Sequence, residues 1–264
     1  MGFPFVIIVY SQKMTKHKRI PKTRINKKVV IIGVILTAVM IGGTVAAVLP
    51  NIPRPASNQN QTHNQIIEPI ITPVAQGVGA LGSKTAIVTM VEFGDYQCEF
   101  CARFHNETID DIIANFVDTG HIRYLFKDYV INDGPTDKAS MLAAEASYCA
   151  ADQGKYWEYH NELYSNSKGE NSKWIAKESL EYFAVNIKIP NQGQFSDCLE
   201  SHKHANTVNK NNDLANRIGL QVTPTFVLLS NNTVPLAVQG AQPYQVFEQA
   251  ITQVLTNASR MSQE

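Results

Sequence analysis

Cys98-Glu99-Phe100-Cys101 sets two of the chain's four cysteines three residues apart. Such a pair carries out disulfide exchange where its surroundings favour thiolate over thiol. Thr85-Ala86-Ile87-Val88-Thr89-Met90-Val91-Glu92-Phe93 reads as an apolar strand, and a helical pattern begins at the cysteines. A cysteine starting a helix sits beside unpaired backbone N–H groups and the positive end of the helix dipole, and both stabilise its thiolate. Cys101, one turn on and on the same face, is within reach for closing a disulfide. Cys98 is therefore the expected attacking sulfur and Cys101 the resolving one. A structural disulfide and half of a zinc site are the alternatives, the second weakened by the lack of another CxxC. Exchange between sulfurs calls for no cofactor and no metal.

Cys149 and Cys198 fall on helix-patterned segments. Leu142, Ala146 and Cys149 share one face, and Phe195, Cys198, Leu199 and His202 share another. Both thiols are expected to face a core and, in an oxidising compartment, to form a second, structural disulfide. Two buried free thiols, or a metal site using His202 and His204, are the alternatives.

The oxidising compartment is read from the first fifty residues. Val29 to Leu49 is a run of 21 uncharged, mostly apolar residues, about 31 Å as a helix and long enough to cross a bilayer core. Eight lysines and arginines precede it and no acid appears before Glu68. This asymmetry predicts a single-pass anchor with residues 1–28 in the cytoplasm and the rest exported. A cleaved signal ending near Val45-Ala46-Ala47 is the alternative. Met1 to Tyr10 is too short to span, and Met14 looks like a more ordinary start. The net charge of zero conceals two parts: beyond Arg54, 14 basic residues face 23 acids, about −9. That balance excludes a basic nucleic-acid surface from the exported part.

Residues 50–83 read as a linker, with a short hairpin-like piece at Ile66 to Pro73. From Lys84 the pattern is strand (85–93), helix (98–118, with Phe104, Ile109, Ile112, Ile113 and Phe116 inward) and strand (122–126). Helices follow at 137–151, 154–166, 173–185, 193–203 and 205–218, then strands at 225–229 and 234–238 and a helix at 244–256. The layout is an α/β unit, βαβ then ββα, with an all-helical insert at about 136–218.

Three motifs now carry a resemblance. They are Val91-Glu92-Phe93-Gly94-Asp95-Tyr96-Gln97-Cys98-Glu99-Phe100-Cys101, Gln153-Gly154-Lys155-Tyr156-Trp157-Glu158-Tyr159-His160, and Val222-Thr223-Pro224-Thr225-Phe226. In this order and spacing, residues 84–264 resemble the DsbA-like thiol–disulfide oxidoreductases. Those are thioredoxin-fold proteins with a helical insert, and the resemblance is greatest to their membrane-anchored Gram-positive and archaeal members. It implies that Glu92 lies beneath the cysteines and relays a proton to or from Cys101; a rim position at a strand end is the alternative. It further implies a cis-proline at Pro224 packed on the cysteines, with Thr223 offering backbone groups to an extended substrate; a trans proline starting a strand is the alternative. Related proteins also carry a cysteine pair near Cys149 and Cys198. Phe100 either touches substrate or is a plain exposed aromatic, and the aromatics of helix 154–166 read as core.

The implied activity is donation of the Cys98-Cys101 disulfide to free thiols of exported proteins, followed by reoxidation by a membrane quinone-linked partner. Glu99-Phe100 departs from the best-known oxidase spacer of proline and histidine. A carboxylate next to Cys98 is expected to raise its pKa and make the disulfide less oxidising. A reductase or isomerase working with a reducing partner is therefore the alternative enzyme. A membrane-tethered peptide-binding or chaperone module is the non-enzymatic one.

Overall fold

The computed structural model describes residues 6–8, 67–73, 75, 78–230 and 233–261. The rest of the tail, the apolar run 29–49 and the linker up to residue 66 lie outside the described residues. Among the described residues, no helix is long and apolar enough to cross a membrane.

Two seven-residue strands form the centre because their β-branched and aromatic residues suit burial on both sides of a pleated sheet. They are β3 (Val88–Gly94) and β4 (Ile122–Asp128), paired in parallel from Val88↔Ile122 to Gly94↔Asp128. Parallel neighbours need a crossover. It is supplied by α2 (Glu99–Glu107), α3 (Ile109–Ile112) and a π turn at Ile113–Val117. Antiparallel β5 (Thr225–Ser230) lies on the other side of β3, and β6 (Leu236–Gln239) beside β5. The sheet order is β1-β6-β5-β3-β4-β2, where β1 is Val6–Ile8 and β2 is Leu81–Gly82.

Side chains alternate across β3. Val88 and Met90 pack with Phe104, Ile112, Phe226 and Phe247 beneath α2, α3 and α9 (Tyr244–Met261). Val91 and Phe93 pack with Leu125, Val227, Leu214 and Ile218 on the opposite face, under α8 (Ala205–Arg217). Glu92 has the parity of Val88 and Met90, so it enters the face covered by α2. The insert, α4 (Ala139–Ala151), α5 (Tyr156–Ser165), α6 (Lys177–Asn186) and α7 (Gln192–Glu200), builds its own core. That core runs on without a break into Tyr96, Cys98, Cys101 and Phe126.

Three expectations are corrected. Residues 67–71 are a helical turn, α1, rather than part of a hairpin, and the linker does not run free to residue 83. Ile70 is fully buried, Lys127 Nζ donates to Thr72 O at 2.8 Å, and Leu81 and Gly82 pair with β4. Burying Ile70 and satisfying a buried lysine outweigh the polar composition that suggested a tether.

The helix expected over 98–118 breaks at Thr108 (φ −132°), whose hydroxyl turns to Gln242 O at 3.4 Å. The wider π turn that follows rotates the face, so Val117 is buried while Phe116 is only half-buried. His202 leaves the α7 face because α7 ends at Glu200; at φ +51° it points outward to Glu145, 3.1 Å away. Ahead of Met14, Val6–Ile8 pairs in parallel with Leu236–Val238.

Candidate active site

The site begins with Asp95, directly after β3. Its Oδ1 accepts the Gln97 N–H at 2.9 Å, and its Oδ2 accepts those of Ile131 and Asn132 at 2.9 and 3.0 Å. Its carbonyl accepts the Cys98 N–H at 3.0 Å. One buried carboxylate thus folds the turn before the cysteines and ties it to the loop after β4. Gly94 is required just before it, because a Cβ there would stand 2.6 Å from the Phe126 ring and 3.0 Å from Glu92 Oε1. Gln97 fixes the other side by donating to Ser140 Oγ of α4 at 2.9 Å.

This turn makes Cys98 the N-cap of α2. Both cysteines are free thiols here. Cys98 Sγ lies 3.5 Å from Thr223 O, and the Thr223–Pro224 bond is cis. The Cys101 side chain, Thr223 and the N–H groups of Cys101 and Phe100 hold the Cys98 thiol down to about 7, against the opposing effect of burial. Glu99, expected to raise it, turns its side chain out to solvent, where its charge is screened, and the main influences on Cys98 come from other groups. Burial, then Cys98 and Glu92, push the Cys101 thiol well up.

A direct expectation follows. Alkylation of Cys98 in the reduced protein rises with a midpoint near pH 7, while Cys101 stays unreactive, as peptide mass spectrometry across pH would read; a midpoint at or above 8.5 for Cys98 overturns the helix-start argument. The folded value lies below the ordinary thiol value. Ionised Cys98 therefore stabilises the reduced fold fully above about pH 9, and this stabilisation is lost as pH falls through 7.

Beneath the cysteines Glu92 is fully buried, not at a rim. Its Oε2 accepts the hydroxyl proton of Tyr124, two residues along the neighbouring strand from its pairing partner Phe126. His105 Nε2 is 3.4 Å from the same oxygen, while Oε1 has no partner among the described residues. Phe100 is exposed at 45%, with Arg103 over its ring at 4.9 Å. Val222 and Ile131 are also exposed, at 42% and 41%, so the three segments that meet at Cys98 each present an apolar side chain to solvent.

Cys149 of α4 and Cys198 of α7 are joined in a disulfide with Cα atoms 5.8 Å apart. His204 stands near these sulfurs, but a bonded sulfur is not a thiolate ligand. Sequence reasoning gave no role to His105, Tyr124 or Ile131, quoted Asp95 and Val222 only as parts of motifs, and read His160 as plain core. The signal available for the first two was spacing. His105 stands one helical turn after Cys101, and Tyr124 sits on the parallel strand at the parity of Glu92.

A βαβ-ββα sheet with a dithiol at the first crossover helix defines a thiol–disulfide exchange protein of the thioredoxin class. The comparisons agree. A thioredoxin family profile matches residues 76–251, so the chain belongs to that family, as a DsbA-like protein thiol–disulfide oxidoreductase. It is 27% identical to disulfide bond formation protein D of Bacillus subtilis over 58% of this chain and 68% of that one. The solved BdbD structure from Bacillus subtilis superposes with a TM-score of 0.61 at 25% identity, over 68% of this chain and 94% of that one. Chlamydia trachomatis DsbA gives 0.56 at 25%, over 70% and 94%.

Proposed function

We infer that the protein introduces disulfides into exported proteins through Cys98 and Cys101. A substrate thiolate attacks Cys98 Sγ of the oxidised enzyme. The Cys98–Cys101 bond breaks, and its electron pair goes to Cys101, which takes a proton from Glu92. A second thiol of the same substrate, as thiolate, attacks the substrate sulfur of the mixed disulfide and releases Cys98 as thiolate. The substrate has lost two electrons and the enzyme holds them as a dithiol.

The observation that carries this reading is the division of labour between the two sulfurs. Cys98 sits at the head of α2 with its thiol held at about 7, and Cys101 is sealed behind it. Thr223 and Pro224 flank an extended substrate, and Phe100 borders it. An anchor at 29–49, formed in place of the Val6–Ile8 pairing, holds the domain outside the cytoplasm near both exported substrates and a membrane quinone-linked reoxidising partner, which raises effective concentration.

One number favours a second reading, disulfide reduction or isomerisation. A Cys98 value of about 7 is like the ~7 of thioredoxin and unlike the ~3.5 of a strongly oxidising DsbA. The reduction potential against glutathione decides between them. A potential of roughly −120 to −180 mV supports donation, and one near −270 mV overturns it in favour of the reductase.

A further inference from the structure

Glu92, read above as the proton partner of Cys101, is fully buried and sealed from solvent. A carboxyl that passes one proton per turnover must recover it from outside. Three groups lead away from it. The Tyr124 hydroxyl donates to Oε2 and is kept protonated, because burial pushes its pKa well up. His105 Nε2 stands 3.4 Å from the same oxygen. His160 Nε2 lies a further 3.3 Å from His105 Nε2, and its Nδ1 is 2.8 Å from the Tyr96 hydroxyl. His160 is fully buried, and burial, then His105, hold it neutral.

Of the two imidazoles only His105 reaches an opening. It borders a surface cavity of about 250 Å³ whose other titratable walls are Tyr124, Tyr164 and Asp110. Its ring is clamped flat against Tyr164 at 4.1 Å and edge-on to His160 at 4.7 Å. An imidazole fixed between a sealed carboxyl and a cavity is placed to transfer protons.

We propose that His105, with the cavity it borders, is the proton route between Glu92 and solvent, a positioning role resting on the Glu92 reading. When Cys101 leaves as thiolate and takes the Glu92 proton, His105 Nε2–H returns a proton to the carboxylate, and the ring recovers its own from the cavity. Reduction runs the same transfers backwards, and no electrons pass through the imidazole.

The test mixes the reduced full-length protein with an aryl disulfide that releases a coloured thiol. Attack by Cys98 gives one release and resolution by Cys101 a second, so the first phase is an internal control. His105→Ala is expected to leave the first phase unchanged and slow the second about tenfold, a modest share of the ~10²–10⁴ of general acid–base catalysis. Added imidazole restores the second phase, and pyrazole, equal in size but far less basic, does not. His105→Gln keeps a polar group beside Glu92 without carrying a proton, and is expected to be as slow. An unchanged second phase in both variants, or rescue by pyrazole as good as by imidazole, overturns the proposal. Glu92→Gln separates the two readings. If it does not slow resolution, the Glu92 role itself fails; if it does and the His105 variants do not, only the His105 route fails.

Discussion

Cys101→Ala converts the protein into a trap that holds one substrate molecule per active site and does not turn over. Cys98 keeps its place as the N-cap of α2, with the N–H groups of α2 and Thr223 still beside it. Part of what holds it near 7 comes from the Cys101 thiol itself, so its pKa rises in the variant, but thiolate remains available. Attack on a disulfide substrate then gives a mixed disulfide at Cys98 that no neighbouring thiol can resolve. Cys149 and Cys198 cannot substitute, since they are bonded to each other.

Intact-mass spectrometry of the variant after exposure to a disulfide-bonded peptide reads the adduct directly, at about one equivalent, with catalytic reduction of that peptide falling to background. Cys98→Ser forms no adduct at all, because the sealed Cys101 has its thiol pushed up by burial and cannot take over. Sustained turnover by the Cys101 variant, or an adduct on Cys101 in the Cys98 variant, reverses the assignment of the two sulfurs. A peptide-binding module that used the pair only as a staple would keep its binding in Cys98→Ser and show no exchange in the wild type.

The second large effect is on stability. Cys149 and Cys198 are 49 residues apart in sequence and join α4 to α7 inside the core of the insert. Closing a loop of that length restricts the unfolded chain by about 4 kcal/mol on the chain-entropy account. For a domain of this size that corresponds to a Tm lower by roughly 8–16 °C in the Cys149→Ala/Cys198→Ala double variant. Thermal melts by circular dichroism read the loss, and a shift under about 2 °C would place the stability of the insert in its aromatic packing instead. Because neither sulfur is among the main groups that set the Cys98 thiol, the midpoint of Cys98 alkylation is expected to be unchanged at 25 °C in the same variant.

How much of this was legible beforehand can be argued residue by residue. Strand β3 was readable because a largely apolar, β-branched run admits little else even with Glu92 in it, and α2 because the apolar residues after the cysteines recur at helical spacing. Thr108 gave no warning of the break, since its cause is a contact with Gln242, 134 residues away. The docking of residues 67–82 was hidden for the same reason: Ile70, Thr72 and Leu81 are individually unremarkable and gain their meaning from Lys127 and β4. Glu99 is not among the main groups that set the Cys98 thiol, because adjacency along the chain says nothing of direction in space, and at the first turn of a helix Glu99 faces water.

The sequence by itself determined the chemistry, two thiols at a strand-to-helix junction, because spacing and local pattern are enough to place a cysteine at a helix start. It also determined which face of the sheet Glu92 enters, since the period of a strand is two. Only the tertiary structure decided what that carboxyl meets there. Tyr124, His105 and His160 come from a neighbouring strand and two helices, and they converge because the core of the insert runs on into Phe126 of the sheet and the residues around the cysteines. The ionisation of Cys98 draws on both levels: Cys101 and the N–H groups at the head of α2 act locally, while burial and the Thr223 carbonyl, 125 residues away, come from the tertiary structure.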